Sequence, residues 1–100
     1  MKFNIPKKLK VGGIDYTVEF KEHLGINDSC YGLHYDDGKI EIATQSGGRK
    51  TSESVRRQTF FHELTHAILT GMGNYDLNRD EVFVNTFASF LTQAIDSMEE

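Results

Sequence analysis

Apolar residues first fall at every second position. Leu9 and Val11 precede a Gly12-Gly13 pair, after which Ile14, Tyr16, Val18 and Phe20 alternate with Asp15, Thr17 and Glu19. Period-two alternation around a glycine pair predicts a hairpin with one buried face. A second hairpin is expected from Tyr31–Tyr35 and Lys39–Ala43. There Asp36-Asp37-Gly38 supplies the turn, and Ile40 and Ile42 alternate with Lys39 and Glu41. Residues 1–8 read as a loose arm, 21–30 as a polar turn region and 44–51 as a linker.

The period then changes. Phe60, Phe61, Leu64, Ala67, Ile68 and Met72 recur at three- and four-residue spacing, predicting a helix with one apolar face. Thr51 or Ser52 suits its N-cap, Glu53 its first turn, and Gly71 and Gly73 its end. A loop over 74–78 is expected to lead into a second helix from about Asp80 to Met98. Phe83, Phe87, Phe90, Leu91, Ala94, Ile95 and Met98 form its apolar stripe, of which Phe83, Phe87, Phe90 and Ala94 mark the core-facing side. The expected class is α+β: a short antiparallel sheet of two hairpins, an active-site helix and a second packing helix, in one domain spanning 1–100.

Composition narrows the function. The formal charge is −4, and the only basic cluster is Lys7, Lys8 and Lys10, so a phosphate-backbone footprint is missing and no nucleic-acid partner is expected. Cys30 is the only cysteine, which rules out an internal disulfide framework and favours a reducing compartment. It reads as a small apolar filler. No apolar run has the length of a signal peptide or a membrane span, so a cytoplasmic chain with no membrane partner is expected.

The chemistry lies inside the first helix, at His62-Glu63-Leu64-Thr65-His66. Residues four apart stand one above the other on a helix, so both imidazoles can converge on one ion. Glu63, turned about 100° from His62, can reach a water on that ion and take its proton. With 4 His and 8 Glu in the chain, the motif arises by chance at about the 1% level. A third ligand must come from another element. Asp76, Asp80, Glu81, His23 and His34 are candidates. Glu81 is favoured because it opens the second helix, with Asn85 one turn on to orient its carboxylate.

The segments H-E-L-T-H-A-I-L and D-E-V-F-V-N-T-F-A-S-F-L resemble those of the small phage and prophage zinc metallopeptidases of the ImmA/IrrE group, and of the minigluzincins. The resemblance covers most of the chain, including the strand K-I-E-I-A before the zinc helix. Phe83 stands where the ImmA/IrrE helix usually carries a second acid. The resemblance implies zinc held by His62, His66 and Glu81, with Glu63 as general base. It also implies that one of Tyr31, His34, Tyr35 or Tyr75 steadies an oxyanion. The expected activity is peptide hydrolysis, with a polypeptide substrate extended along strand 39–43. The alternative is a non-catalytic or latent zinc module that binds a regulatory protein. Oligomeric state is left open.

Overall fold

A computed structural model describes residues 3–99. Strands β1 (Lys8–Val11) and β2 (Ile14–Lys21) pair antiparallel, and β3 (Gly32–Tyr35) does the same with β4 (Lys39–Ala43). Gly38 has φ of 113°, and a Cβ there would lie 2.5 Å from the Asp15 carbonyl oxygen, so the turn requires glycine. The class is α+β, as the periodicity indicates.

The junction of the hairpins departs from expectation. β2 pairs with β4 in parallel, Val18 opposite Ile40 and Phe20 opposite Ile42, giving one mixed sheet of order β1-β2-β4-β3. Strand β4 is therefore internal, bonded on both sides, and is not the edge expected to receive a peptide. The edge beside it is β3. Glu41 on β4 is buried because the Tyr35 hydroxyl donates to it at 2.8 Å and Lys21 and Lys39 each approach within 3.9 Å. Of the alternating residues on β2, Tyr16 and Val18 are buried, while Ile14 and Phe20 lie exposed towards its ends. The expected linker holds a small hairpin, β5 (Gln45–Ser46) and β6 (Arg49–Lys50).

Helix α1 (Glu53–Met72) begins at Ser52, whose hydroxyl accepts from Val55 N at 3.1 Å, and ends on left-handed Gly73. Thr51, the other cap candidate, instead donates to the Ala43 carbonyl at 2.9 Å and ties the helix start to β4. The helix does not have the single apolar face expected. It lies between the sheet and α3 (Glu81–Asp96), and Thr59, Phe60, Phe61, Glu63, Thr65, Ala67 and Leu69 are all buried. Ile68 and Met72 face outward.

Phe60, Phe61, Tyr16, Ile40 and Ile42 form the centre of the core. Phe3 lies 5.0 Å from the Phe61 ring and 5.7 Å from that of Phe60, and Ile5 packs on the same cluster. The described part of the N-terminal arm is thus docked; residues 1 and 2 fall outside the described residues.

The expected loop at 74–78 contains a one-turn helix, α2 (Tyr75–Asn78), capped by Asn74, whose side chain accepts from Leu77 N at 3.2 Å. Asp80 caps α3 in the same way, accepting from Phe83 N at 3.0 Å. The face of α3 turned to the core consists of Val84, Ala88 and Thr92, flanked by Leu91 and Ile95. This corrects the expected Phe83, Phe87, Phe90 and Ala94 face: Phe87 and Phe90 are 45% and 68% exposed. Small side chains let two helices approach closely, whereas a row of phenylalanines would hold them apart.

Ala88 is fully buried in this seam. Ala88→Leu is expected to cost about 1–3 kcal/mol by overpacking, read as a lower urea midpoint, while Ala94→Leu on the exposed side changes the midpoint little.

Candidate metal centre and adjoining cleft

His62 and His66 stand one turn apart on α1, their ring centroids 5.1 Å apart. Glu81, in the first turn of α3, reaches both. Its Oε2 lies 3.3 Å from His62 Nε2 and its Oε1 lies 3.2 Å from His66 Nε2. One donor atom from each residue falls within 4.8 Å of the others. Ligands about 2.0–2.1 Å from a tetrahedral zinc are about 3.3 Å apart, so this spacing suits such an ion.

The surroundings of His66 decide which ring nitrogen is offered. Asn78 Nδ2 donates to Thr70 Oγ1 at 2.9 Å, which turns Asn78 Oδ1 towards His66 Nδ1, 2.6 Å away. An amide oxygen only accepts, so Nδ1 carries a proton, and in the neutral ring Nε2 then presents its lone pair to Glu81. Two acceptors facing each other at 3.2 Å require a cation or a proton between them. The donor set therefore fits a metal ion. Asn85, expected to orient Glu81, lies beside His62 on the wall of the adjoining cleft. Burial pushes the His62 pKa below its usual value; Glu81 opposes this and His66 adds to it. The contribution of Asn78 was hidden in the sequence because residues 74–78 read as a loop, although Asn74, four positions earlier, is a helix-capping type.

Glu63 is 7% exposed, and burial raises its pKa to about 7, with His66 pulling it down and Glu81 pushing it further up. It sits under β3: a Cβ on Gly32 would meet Glu63 Cγ at 3.1 Å and Thr59 Cγ2 at 2.5 Å. Glycine at 32 thus lets the sheet edge lie against the carboxylate. Beside it opens a cleft of about 700 Å³, bordered by His62, Glu63 and Asn85 on one side and Tyr31, Cys30 and Val55 on another. Cys30, expected as filler, is a partly buried part of this wall.

The other candidates are engaged elsewhere. Asp80 caps α3, and Asp76 pairs with Arg79 at 2.9 Å. His23 lies near Gln45 on the small hairpin. His34 hydrogen-bonds buried Tyr16 at 2.9 Å, and burial lowers its pKa. Tyr35 is bound to Glu41, and Tyr75 is exposed on α2; of the four oxyanion candidates only Tyr31 borders the cleft. Arg56 and Arg57 do not form a solvated face. Arg56 donates to Thr51 Oγ1 and the Thr44 carbonyl, and Arg57 holds Asp96 at 3.0 Å, fastening α1 to the β4 end and to α3.

No family model, curated protein or solved structure matches the chain. Among the described residues, no helix is long and apolar enough to cross a membrane.

The raised Glu63 pKa gives a pH dependence in metal-free protein. A carboxyl whose folded pKa exceeds its unfolded value favours folding most below about pH 4.5, and that contribution is lost as pH rises through about 7. Glu63→Gln has no charge to bury. In chelator, its stability advantage over the wild type is expected to open above pH 4.5 and level off beyond 7 at up to about 3 kcal/mol. Urea titrations at pH 5, 6, 7 and 8 measure it; a gap independent of pH refutes the assignment.

Proposed function

We propose that this chain is a zinc-dependent peptidase domain, with zinc held by His62, His66 and Glu81 and with Glu63 as general base. The observation that carries the reading is the convergence of both Nε2 atoms on one carboxylate, at 3.3 and 3.2 Å, beside a cleft into which the buried Glu63 is set. It agrees with the resemblance to the ImmA/IrrE group and the minigluzincins. The lone cysteine and the lack of a membrane-spanning helix among the described residues fit a cytoplasmic setting.

The chemistry that zinc supplies at such a site is polarisation of a peptide carbonyl and acidification of water. Glu63 then takes a proton from the attacking water and passes it to the departing amide nitrogen. Asn78 keeps His66 in the tautomer that offers Nε2. Tyr31 borders the cleft and is the candidate of the four to donate to the developing oxyanion.

The substrate strand belongs on β3. The Tyr31 carbonyl accepts from Ala43 N, and residues alternate in an antiparallel ladder, so the backbone groups of residues 33 and 35 also turn towards β4. Those of Gly32 and His34 turn outward, available to an extended peptide by strand addition.

Elemental analysis is expected to give about one zinc per chain, lost in a His62→Ala/His66→Ala variant. Zinc is expected to raise the melting temperature, and chelator to lower it. Glu81→Ala weakens zinc binding by orders of magnitude and Asn78→Ala by about 10–100-fold, whereas Asp76→Ala leaves it unchanged. Glu63→Gln keeps its zinc while peptide cleavage falls by roughly 10²–10⁴. A wild type that binds zinc but cleaves nothing across a broad peptide library favours a zinc-containing binding module instead.

A further inference from the structure

An apolar patch outside the site covers the outer face of α3. Phe83, Phe87, Phe90 and Ala94 follow one another at spacings of four, three and four, the spacing of a helix-pairing seam. Phe83 and Phe87 stack at 5.8 Å, and a shallow hollow of about 470 Å³ runs beside them, bordered by Val82, Thr86 and Phe90. Over one quarter of this chain is charged, yet positions 82–95 contain no charged residue. A seam without charge is one that two copies of an acidic chain can bring together without repulsion.

We propose that this face pairs with itself: two copies associate through antiparallel α3 helices about a two-fold axis lying between Phe87 and Phe90. That register sets Phe87 of each copy against Phe90 of the other and Phe83 against Ala94, a large side chain opposite a small one at each end. The parallel arrangement would instead stack Phe83 on Phe83 and Ala94 on Ala94, with the acidic ends side by side.

The area is enough for a weak, specific pair. At about 200 Å² per phenylalanine, Phe87 and Phe90 leave about 220 Å² in water on each copy. A seam along this 16-residue helix, about 24 Å, removes on the order of 1,000–1,200 Å² in total, the lower end of the range for specific interfaces. An interface of that size fits a reversible pair, not a permanent dimer. The seam lies on the opposite flank of α3 from Glu81, Asn85 and Ser89, so pairing leaves the cleft open and does not depend on how that cleft is used.

Sedimentation and light scattering from about 5 to 500 µM are expected to show a mass rising from 11.4 kDa towards twice that value. Phe87→Glu/Phe90→Glu and the milder Phe87→Ala/Phe90→Ala are expected to stay monomeric with an unchanged far-ultraviolet spectrum. Met72→Glu, exposed but off the seam, is expected to dimerise as the wild type does. In a Cys30→Ser background, Phe83→Cys/Ala94→Cys is expected to cross-link into covalent dimers under mild oxidation, while neither single variant does. A wild type that is monomeric throughout, or a dimer that survives both Phe87/Phe90 variants, overturns the proposal. So does efficient cross-linking by a single-cysteine variant, which requires a parallel pair.

Discussion

A helix held between a sheet and a second helix must bury most of what it carries, and α1 carries the polar residues of the site. The remaining structure follows from that constraint. Phe60 and Phe61 fill the core, with Tyr16 and the β4 isoleucines at its centre. Thr59 and Thr65 are tolerated because they are small, and the Thr65 hydroxyl donates back to the Phe61 carbonyl at 2.7 Å. Glu63 has no such internal solution, and its burial appears as a carboxyl pKa raised to about 7. The cost of keeping it there is borne by the aromatic core and by the two anchors of α1, Thr51 to β4 and Arg57 to α3.

The same constraint explains the composition of α3. To bring Glu81 to both imidazoles, α3 must pack close to α1 near its first turn, and close packing requires small residues in the seam. Val84, Ala88 and Thr92 occupy it, and Gln58 donates to Ser89 at 3.0 Å along its rim. The phenylalanines are left for another flank. This helix therefore has two apolar faces of different kinds, one of small volume that brings Glu81 to the histidines and one of large area left in solvent.

Much of this was legible in the sequence, and the parts that were not share a physical reason. Alternation located both hairpins and the Asp36-Asp37-Gly38 turn because a half-buried antiparallel strand writes period two directly. It could not reveal that β2 and β4 run parallel, since a pairing between strands of different hairpins leaves no local mark. Laying the substrate along strand 39–43 followed from that gap, because the parallel partner makes β4 internal. The histidine spacing located the site because convergence on one helix is a local property. Preferring Glu81 to Asp80 rested on helix phase, which is also local; that Asp80 is occupied in capping α3 emerged only from the structure. The α3 phase failed because size was taken as a guide to burial: the bulkier stripe looked like the core, whereas the tighter contact needs the smaller one. Asn78 was missed because a single turn of helix is too short to show a period.

The contact between Glu81 and the histidines admits one further reading, a plain ion pair with protonated imidazole. Glu81 is well exposed, and an ion pair at an exposed carboxylate contributes little stability. The histidines themselves are largely shielded, and burial moves His62 towards its neutral form, which weakens an ion pair there. A neutral ring that presents its Nε2 lone pair to the carboxylate would be repelled by it unless a positive charge came between them. Asn78 strengthens this point. It is fixed by Thr70 and accepts the Nδ1 proton, so the proton cannot move to Nε2 to relieve the repulsion without losing a 2.6 Å hydrogen bond. An ion pair keeps the same Nδ1 hydrogen bond but needs no choice of tautomer, because a doubly protonated ring donates from both nitrogens. A metal ion does need that choice, since only an unprotonated nitrogen can be a ligand.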